Sequence, residues 1–145
     1  MSMTDGVLCA FPRGEMPELL RLNPNVTKRL TEMNARDMTI DQSRILNLGQ
    51  QSAQERIAFF CAELFHRVKS IYNNKDSNHI YFPLSQEDIG DATGLTKIHV
   101  NRTLRTLREE GLMEIASKTL TVHDMSALCQ LGGFDDALVK THYLY

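Results

Sequence analysis

The chain has 145 residues, with 16 Lys and Arg against 18 Asp and Glu and a formal net charge of −2. That length suits one domain with a real core, or a small domain plus an extended helical element, and excludes two full domains. The charge balance excludes a general polycation, so any attraction to nucleic acid must be local.

In chain order, residues 1–23 hold the breakers Gly6, Pro12, Gly14 and Pro17, so little helix is expected there. Val7 to Phe11 reads as one short strand without a nearby partner, and Glu18 to Leu22 as one helical turn. Residues 24–50 form the next segment. From Pro24 to about Leu48 the pattern predicts one long helix, begun by Asn23 as cap with Pro24 in the first turn. Val26, Leu30, Met33, Asp37, Ile40, Arg44 and Asn47 fall at alternating a and d positions, giving a narrow and partly polar seam. An ordinary surface helix is one reading of this stripe. A parallel two-helix dimer fits it better, because so narrow a stripe buries little against a globular surface.

Residues 51–133 then read as one compact domain. Ser52 and Glu55 have capping-box spacing, and Ile57, Phe60, Cys61, Leu64, Phe65 and Val68 give the following helix the broad apolar face of a core element, ending near Tyr72. A polar loop, Asn73 to Asn78, leads to a short β-rich run at His79 to Pro83. Ser85 and Asp88 open a short helix that Gly94 ends, and Thr96 caps a second one whose Val100, Leu104 and Leu107 face inward. Gly111 stops that helix. Leu112 to Ile115 and Thr119 to His123 read as a β-hairpin with Lys118 at its tip, and Asp124 to Leu131 as a last helix ended by Gly132 and Gly133. No role is assigned to the tail, residues 134–145.

The outer face of the second short helix carries the chemistry. Lys97, Ile98, Asn101, Arg102, Arg105 and Arg108 follow one another without an acid until Glu109. Two helices meeting at a glycine, the second basic and amide-bearing outside, make the helix-turn-helix pattern whose second helix enters the DNA major groove. Any amphipathic helix has a polar outer face, so these features alone leave DNA binding and plain packing equally open. The hairpin that follows adds a wing. The expected fold class is therefore mainly α with a small β-hairpin wing: a long dimerisation helix followed by a winged helix-turn-helix domain.

The remaining chemistry is bland. The 3 cysteines, Cys9, Cys61 and Cys129, are scattered without CxxC spacing and read as packing residues of a protein in a reducing compartment. The 5 histidines are equally dispersed, with no zinc-like grouping. The longest apolar run, Ile57 to Ala62, is too short for a bilayer and no signal peptide opens the chain, so a cytoplasmic location without membrane contact is expected. No nucleophile, base and orienting group occur at motif spacing, which argues against an enzyme.

In its order of motifs the chain resembles the C-terminal part of the Crp/Fnr family of bacterial transcription regulators. The resemblance runs from the long helix through Asn47-Leu48-Gly49, Ser52-Ala53, Arg56-Ile57, the run from Leu84 to Gly90, Gly94-Leu95-Thr96, the run from Val100 to Leu104 and that from Glu109 to Met113, to the wing. Residues 1–23 then look like a remnant of the family's sensor β-roll and its exit turn, the rest of the roll being absent. The resemblance implies a homodimer on double-stranded DNA, with the second helices reading two half-sites of a pseudo-palindrome about 34–36 Å apart. RNA polymerase is a further partner it allows. By family position Lys97 and Arg102 contact base edges, with Asn101 and His99 close enough to assist there or to contact phosphate instead. Ser85, Thr96, His99, Arg105 and Lys118 then serve phosphate or supporting contacts.

Two departures from the family matter. Ile98 stands where the best-known members have Glu, and it could pack on a thymine methyl instead of accepting from cytosine N4. Asp41-Gln42 replaces a nucleotide-binding Thr-Ser pair, which argues against cyclic AMP as effector, and the missing cysteine cluster argues against an iron–sulfur cluster. No cofactor is expected in this chain. The function read from the sequence is a sequence-specific regulator, either sensorless or part of a longer protein. The alternative is an interaction protein that heterodimerises with a full-length relative through the long helix and modulates its DNA binding.

Overall fold

A computed structural model describes residues 6–72 and 77–135. They divide into two compact units that part between Gln42 and Ser43.

In the first unit Val7 to Phe11 forms no strand. Val7 and Leu8 are 94% and 97% exposed, and without a partner their backbone groups stay with water. Cys9 is exposed as well, contrary to its reading as a packing residue. A single 3₁₀ turn at Arg13–Glu15 leads into α1, Met16–Leu22, where Pro17 occupies a first-turn position that has no intrahelical donor to lose. Glu18 and Arg21 pair along its surface at 2.8 Å.

Helix α2, Pro24–Gln50, starts at the predicted residue. The cap differs from expectation. The Asn23 carbonyl accepts from Val26 N–H at 2.9 Å, but its side-chain Nδ2 donates backward to the Leu19 carbonyl at 3.2 Å and so closes α1. Thr27 Oγ1 also donates to the Leu20 carbonyl, tying the two helices together. At the other end α2 continues through Gly49 to Gln50, because one helical glycine costs only about 1 kcal/mol against alanine.

The expected seam is only partly free. Val26, Leu30 and Met33 are 37%, 40% and 39% exposed, open to a partner. Asp37 is half-buried beside Arg36, and Ile40 is already buried within the single chain.

The second unit begins with the last turns of α2. Here Arg44 and Asn47, also read as seam residues, have contacts within the unit: Arg44 pairs with Glu63 at 2.8 Å while its side chain stays 40% exposed, and Asn47 is buried. Helix α3, Ala53–Tyr72, opens on the predicted capping box, with Ser52 N–H donating to Glu55 Oε2 at 2.7 Å and Glu55 N–H to Ser52 Oγ at 3.3 Å. Its face of Ile57, Phe59, Cys61 and Phe65 is the centre of one core. Burial pushes the Cys61 thiol up to about 12.

Strand β1, His79–Tyr81, helices α4, Gln86–Thr93, and α5, Lys97–Glu109, strands β2, Met113–Ala116, and β3, Thr119–Val122, and helix α6, Met125–Gly132, complete the unit. The sequence leaves β1 apart from the hairpin; the fold joins them in an antiparallel sheet of order β1-β3-β2. Leu120 is the register point, facing Ile80 on one side and Ile115 on the other. Alternation puts Leu120 and Val122 into the core.

Asp124 caps α6 through Ala127 N–H at 2.9 Å. Phe134, assigned to the tail by sequence, belongs to the core: it is buried edge-on to Phe59 at 5.5 Å and stacked on His66. Cys129 is half-buried beside His66. Residues 73–76 of the polar loop and 136–145 of the tail lie outside the described residues.

Candidate nucleic-acid interface

Helix α4 is set by its first turn. Asp88 N–H donates to Ser85 Oγ at 3.1 Å while Ser85 N–H and its hydroxyl donate to Asp88 Oδ2 at 2.8 and 2.7 Å, a complete capping box. These bonds, the backbone one first, hold the Asp88 carboxyl below its ordinary value. Ile89 and Thr93 point inward, and the chain then reverses at Gly94, whose φ of +67° a residue with a Cβ enters only at a cost. Gly90 accepts Leu95 N–H at 2.9 Å across this turn.

Helix α5 follows from Thr96, whose side chain accepts from His99 N–H at 3.3 Å. Val100, Thr103 and Leu107 are buried, which turns Lys97, Ile98, Asn101, Arg102 and Arg105 outward at helical spacing. All of them are exposed, Ile98 by 81%. His99 and Arg108 are exposed nearer the flanks.

The partners of these side chains differ. Lys97 Nζ pairs with Glu87, and Asn101 Nδ2 donates to Gln86 Oε1 at 3.3 Å, so two of the four residues read as base contacts are held by the first turn of α4. Arg105 pairs with Glu109 at 2.8 Å, one turn along, and its own charge is reinforced by that carboxylate. Among the described residues the guanidinium of Arg102 has no hydrogen-bond or ion-pair partner. Of the supporting set, Ser85 and Thr96 spend their hydroxyls as helix caps. Lys118 sits in another element, the tip of the β2–β3 hairpin, where Ser117 and Lys118 have φ of +49° and +59°.

Sequence reasoning missed Gln86 and Glu87. It treated the start of α4 as a cap, and nothing in the spacing says that residues 10 and 15 positions apart in the chain meet across the turn.

The profile of the Crp-like helix-turn-helix domain matches residues 55–131, more than half of the chain. The chain belongs to the Crp/Fnr family. Among curated Crp/Fnr relatives, the transcriptional activator protein FnrA of Stutzerimonas stutzeri is 30% identical over 126 residues, covering 87% of this chain and 51% of the relative. FnrL of Cereibacter sphaeroides, also named a transcriptional activator protein, is 29% identical over 135 residues, 91% of this chain and 54% of the relative. The chain thus spans about half the length of the curated relatives it matches. The solved structure of FixK2 from Bradyrhizobium japonicum aligns with a TM-score of 0.67 at 26% identity, over 82% of this chain and 58% of that one. The mainly α fold with its small antiparallel sheet agrees with that structure. Among the described residues no helix is long and apolar enough to cross a membrane.

Proposed function

We propose that this chain is a sequence-specific DNA-binding transcription regulator that places α5 in the major groove. The observation that carries the reading is the α5 face itself. Arg102, unpaired among the described residues, stands beside an isoleucine that is 81% exposed and gains nothing from folding. An Arg suited to guanine O6/N7 next to an aliphatic side chain suited to a thymine methyl is a combination that base edges reward and water does not. Lys97 and Asn101 flank them, and His99, Arg105 and Lys118, with the helix N-termini capped by Ser85 and Thr96, suit phosphates.

The open stripe of Val26, Leu30 and Met33 on α2 supports a homodimer, in which two α5 helices would meet half-sites of a pseudo-palindrome about 34–36 Å apart. A mobility shift against a randomised duplex pool at two salt concentrations tests the reading. A two-fold-related consensus is expected, with a salt slope that counts the neutralised phosphates. Equal binding to all sequences, or binding unaffected by Arg102→Glu, would overturn it.

A further inference from the structure

We infer that Glu87 and Gln86, in the first turn of α4, are positioning residues for DNA reading: they hold Lys97 and Asn101 toward α4, and Glu87 thereby restrains non-specific affinity. The inference rests on the DNA-binding reading above. Both contacts cross from one helix to the other. Glu87 takes the Lys97 ammonium at 10 residues' separation, and Gln86 takes the Asn101 amide at 15.

Lys97 and Glu87 are each 60% exposed, and a pair so exposed adds little to folding. Its consequence therefore lies in what it denies to a third party. Lysine is a flexible point charge that any phosphate satisfies, whatever the sequence. Tied to Glu87, Lys97 is withheld from phosphates, while Ile98 and Arg102, which read base edges, stay open. The carboxylate is ionised throughout the neutral range, because the hydrogen bond from Lys97, then that of the Glu87 backbone and the Lys97 charge, hold it below its ordinary value.

A double-mutant cycle decides the matter. Wild type, Glu87→Gln, Lys97→Ala and the double variant are titrated against the selected operator and an unrelated duplex of equal length, at two salt concentrations. In Glu87→Gln the freed Lys97 is expected to tighten the unrelated duplex by about threefold to tenfold and to steepen its salt slope by about 0.9, the value for one added phosphate contact. The operator should tighten less, so the specificity ratio falls. In the Lys97→Ala background the same change should leave the slope unaltered. An equal gain in that background would overturn the inference, since Glu87 would then act only as a charge that repels phosphate. Unchanged slope and ratio in Glu87→Gln would overturn it too. Failure of the wild type to prefer the operator would instead remove the DNA-reading proposal on which it rests. A structural role alone would shift the thermal midpoint and leave the slope where it was.

Discussion

Arg44 Nη2 lies 2.8 Å from Glu63 Oε2, joining the last turns of α2 to the middle of α3 through a carboxylate that is 0% exposed. Arg67 takes the other oxygen of Glu63 at 2.6 Å, and both arginine side chains remain 40% exposed. The triad is therefore asymmetric. Removing the acid leaves two cations that water can solvate, whereas removing both cations strands a charge in the core. Glu63→Leu is expected to fold with stability within about 1 kcal/mol of wild type, and the Arg44→Leu, Arg67→Leu double variant to lose about 3–5 kcal/mol. Urea denaturation measures both. Equal losses for the two would show that the pair, not the buried charge, sets the energy.

The two capping boxes give the fold an acid limit. Hydrogen bonds from Ser52 hold the Glu55 carboxyl below its ordinary 4.5, and those from Ser85 hold Asp88 below 3.8. A carboxyl lowered in the folded state contributes stability that is fully present above its unfolded value and is lost as pH falls through the folded one. The loss should thus begin near pH 4.5 and near pH 3.8 respectively and finish below them. Glu55→Ala and Asp88→Ala should be less stable than wild type at neutral pH, with the gap closing as the pH falls through that window. A gap that stays constant down to the acid transition would remove the carboxylates from the account.

Most of this architecture is legible because it is local. Capping boxes at Ser52 and Ser85, the turn at Gly94 and the inward stripe of Val100 and Leu107 are set by residues within one or two helical turns, and each is found as read. The pairing of β1 with β3 was not legible, since His79–Tyr81 and Thr119–Val122 are too far apart in the chain for spacing to link them. The environment of the α2 stripe was only partly legible for a related reason. A heptad stripe shows that Arg44 and Asn47 share a face with Val26 and Leu30, yet Asn47 is buried and Arg44 pairs with Glu63, a charge that reads, on its own helix, as an ordinary acid. In the α5 face the exposed residues were legible, and the hydrogen bonds of Lys97 to Glu87 and of Asn101 to Gln86 were not.

Close approach at the helix-turn-helix corner is equally invisible to spacing. A Cβ on Gly90 would stand 2.5 Å from the Leu95 carbonyl oxygen, a backbone atom that cannot rotate away. Gly90→Ala is therefore expected to cost about 1–3 kcal/mol and to change the angle at which α5 leaves the turn. Thermal denaturation should show the loss, and operator binding should fall further than the folded fraction does. Full stability in this variant would contradict the contact.

The hairpin tip should separate stability from binding. Ala116 and Thr119 pair across a two-residue loop, and Ser117 and Lys118 both have positive φ, a type I′ turn built without glycine or asparagine. Left-handed backbone costs roughly 1 kcal/mol or more per residue with an ordinary side chain. Ser117→Asn with Lys118→Gly is expected to raise stability by about 1–2 kcal/mol. If Lys118 meets a phosphate, the same variant should bind the operator less tightly with a salt slope lower by about 0.9. Higher stability with unchanged slope would take Lys118 out of the interface and leave the turn argument intact.

Ile98 offers the sharpest test of sequence reading. At 81% exposure its side chain contributes little to the folded state, so Ile98→Ala should alter stability by no more than about 0.5 kcal/mol. On the proposed function its value lies at the DNA. An aliphatic group over a thymine methyl buries a few methylenes at about 0.8 kcal/mol each, enough for a severalfold preference at one position of the half-site. Binding-site selection with Ile98→Ala should flatten that position while those facing Arg102 keep their base. Ile98→Glu should move it toward cytosine, whose N4 amino group the new carboxylate accepts. Identical consensus sequences for wild type and both variants would mean that Ile98 meets no base, and that its neighbours on α5 read the site without it.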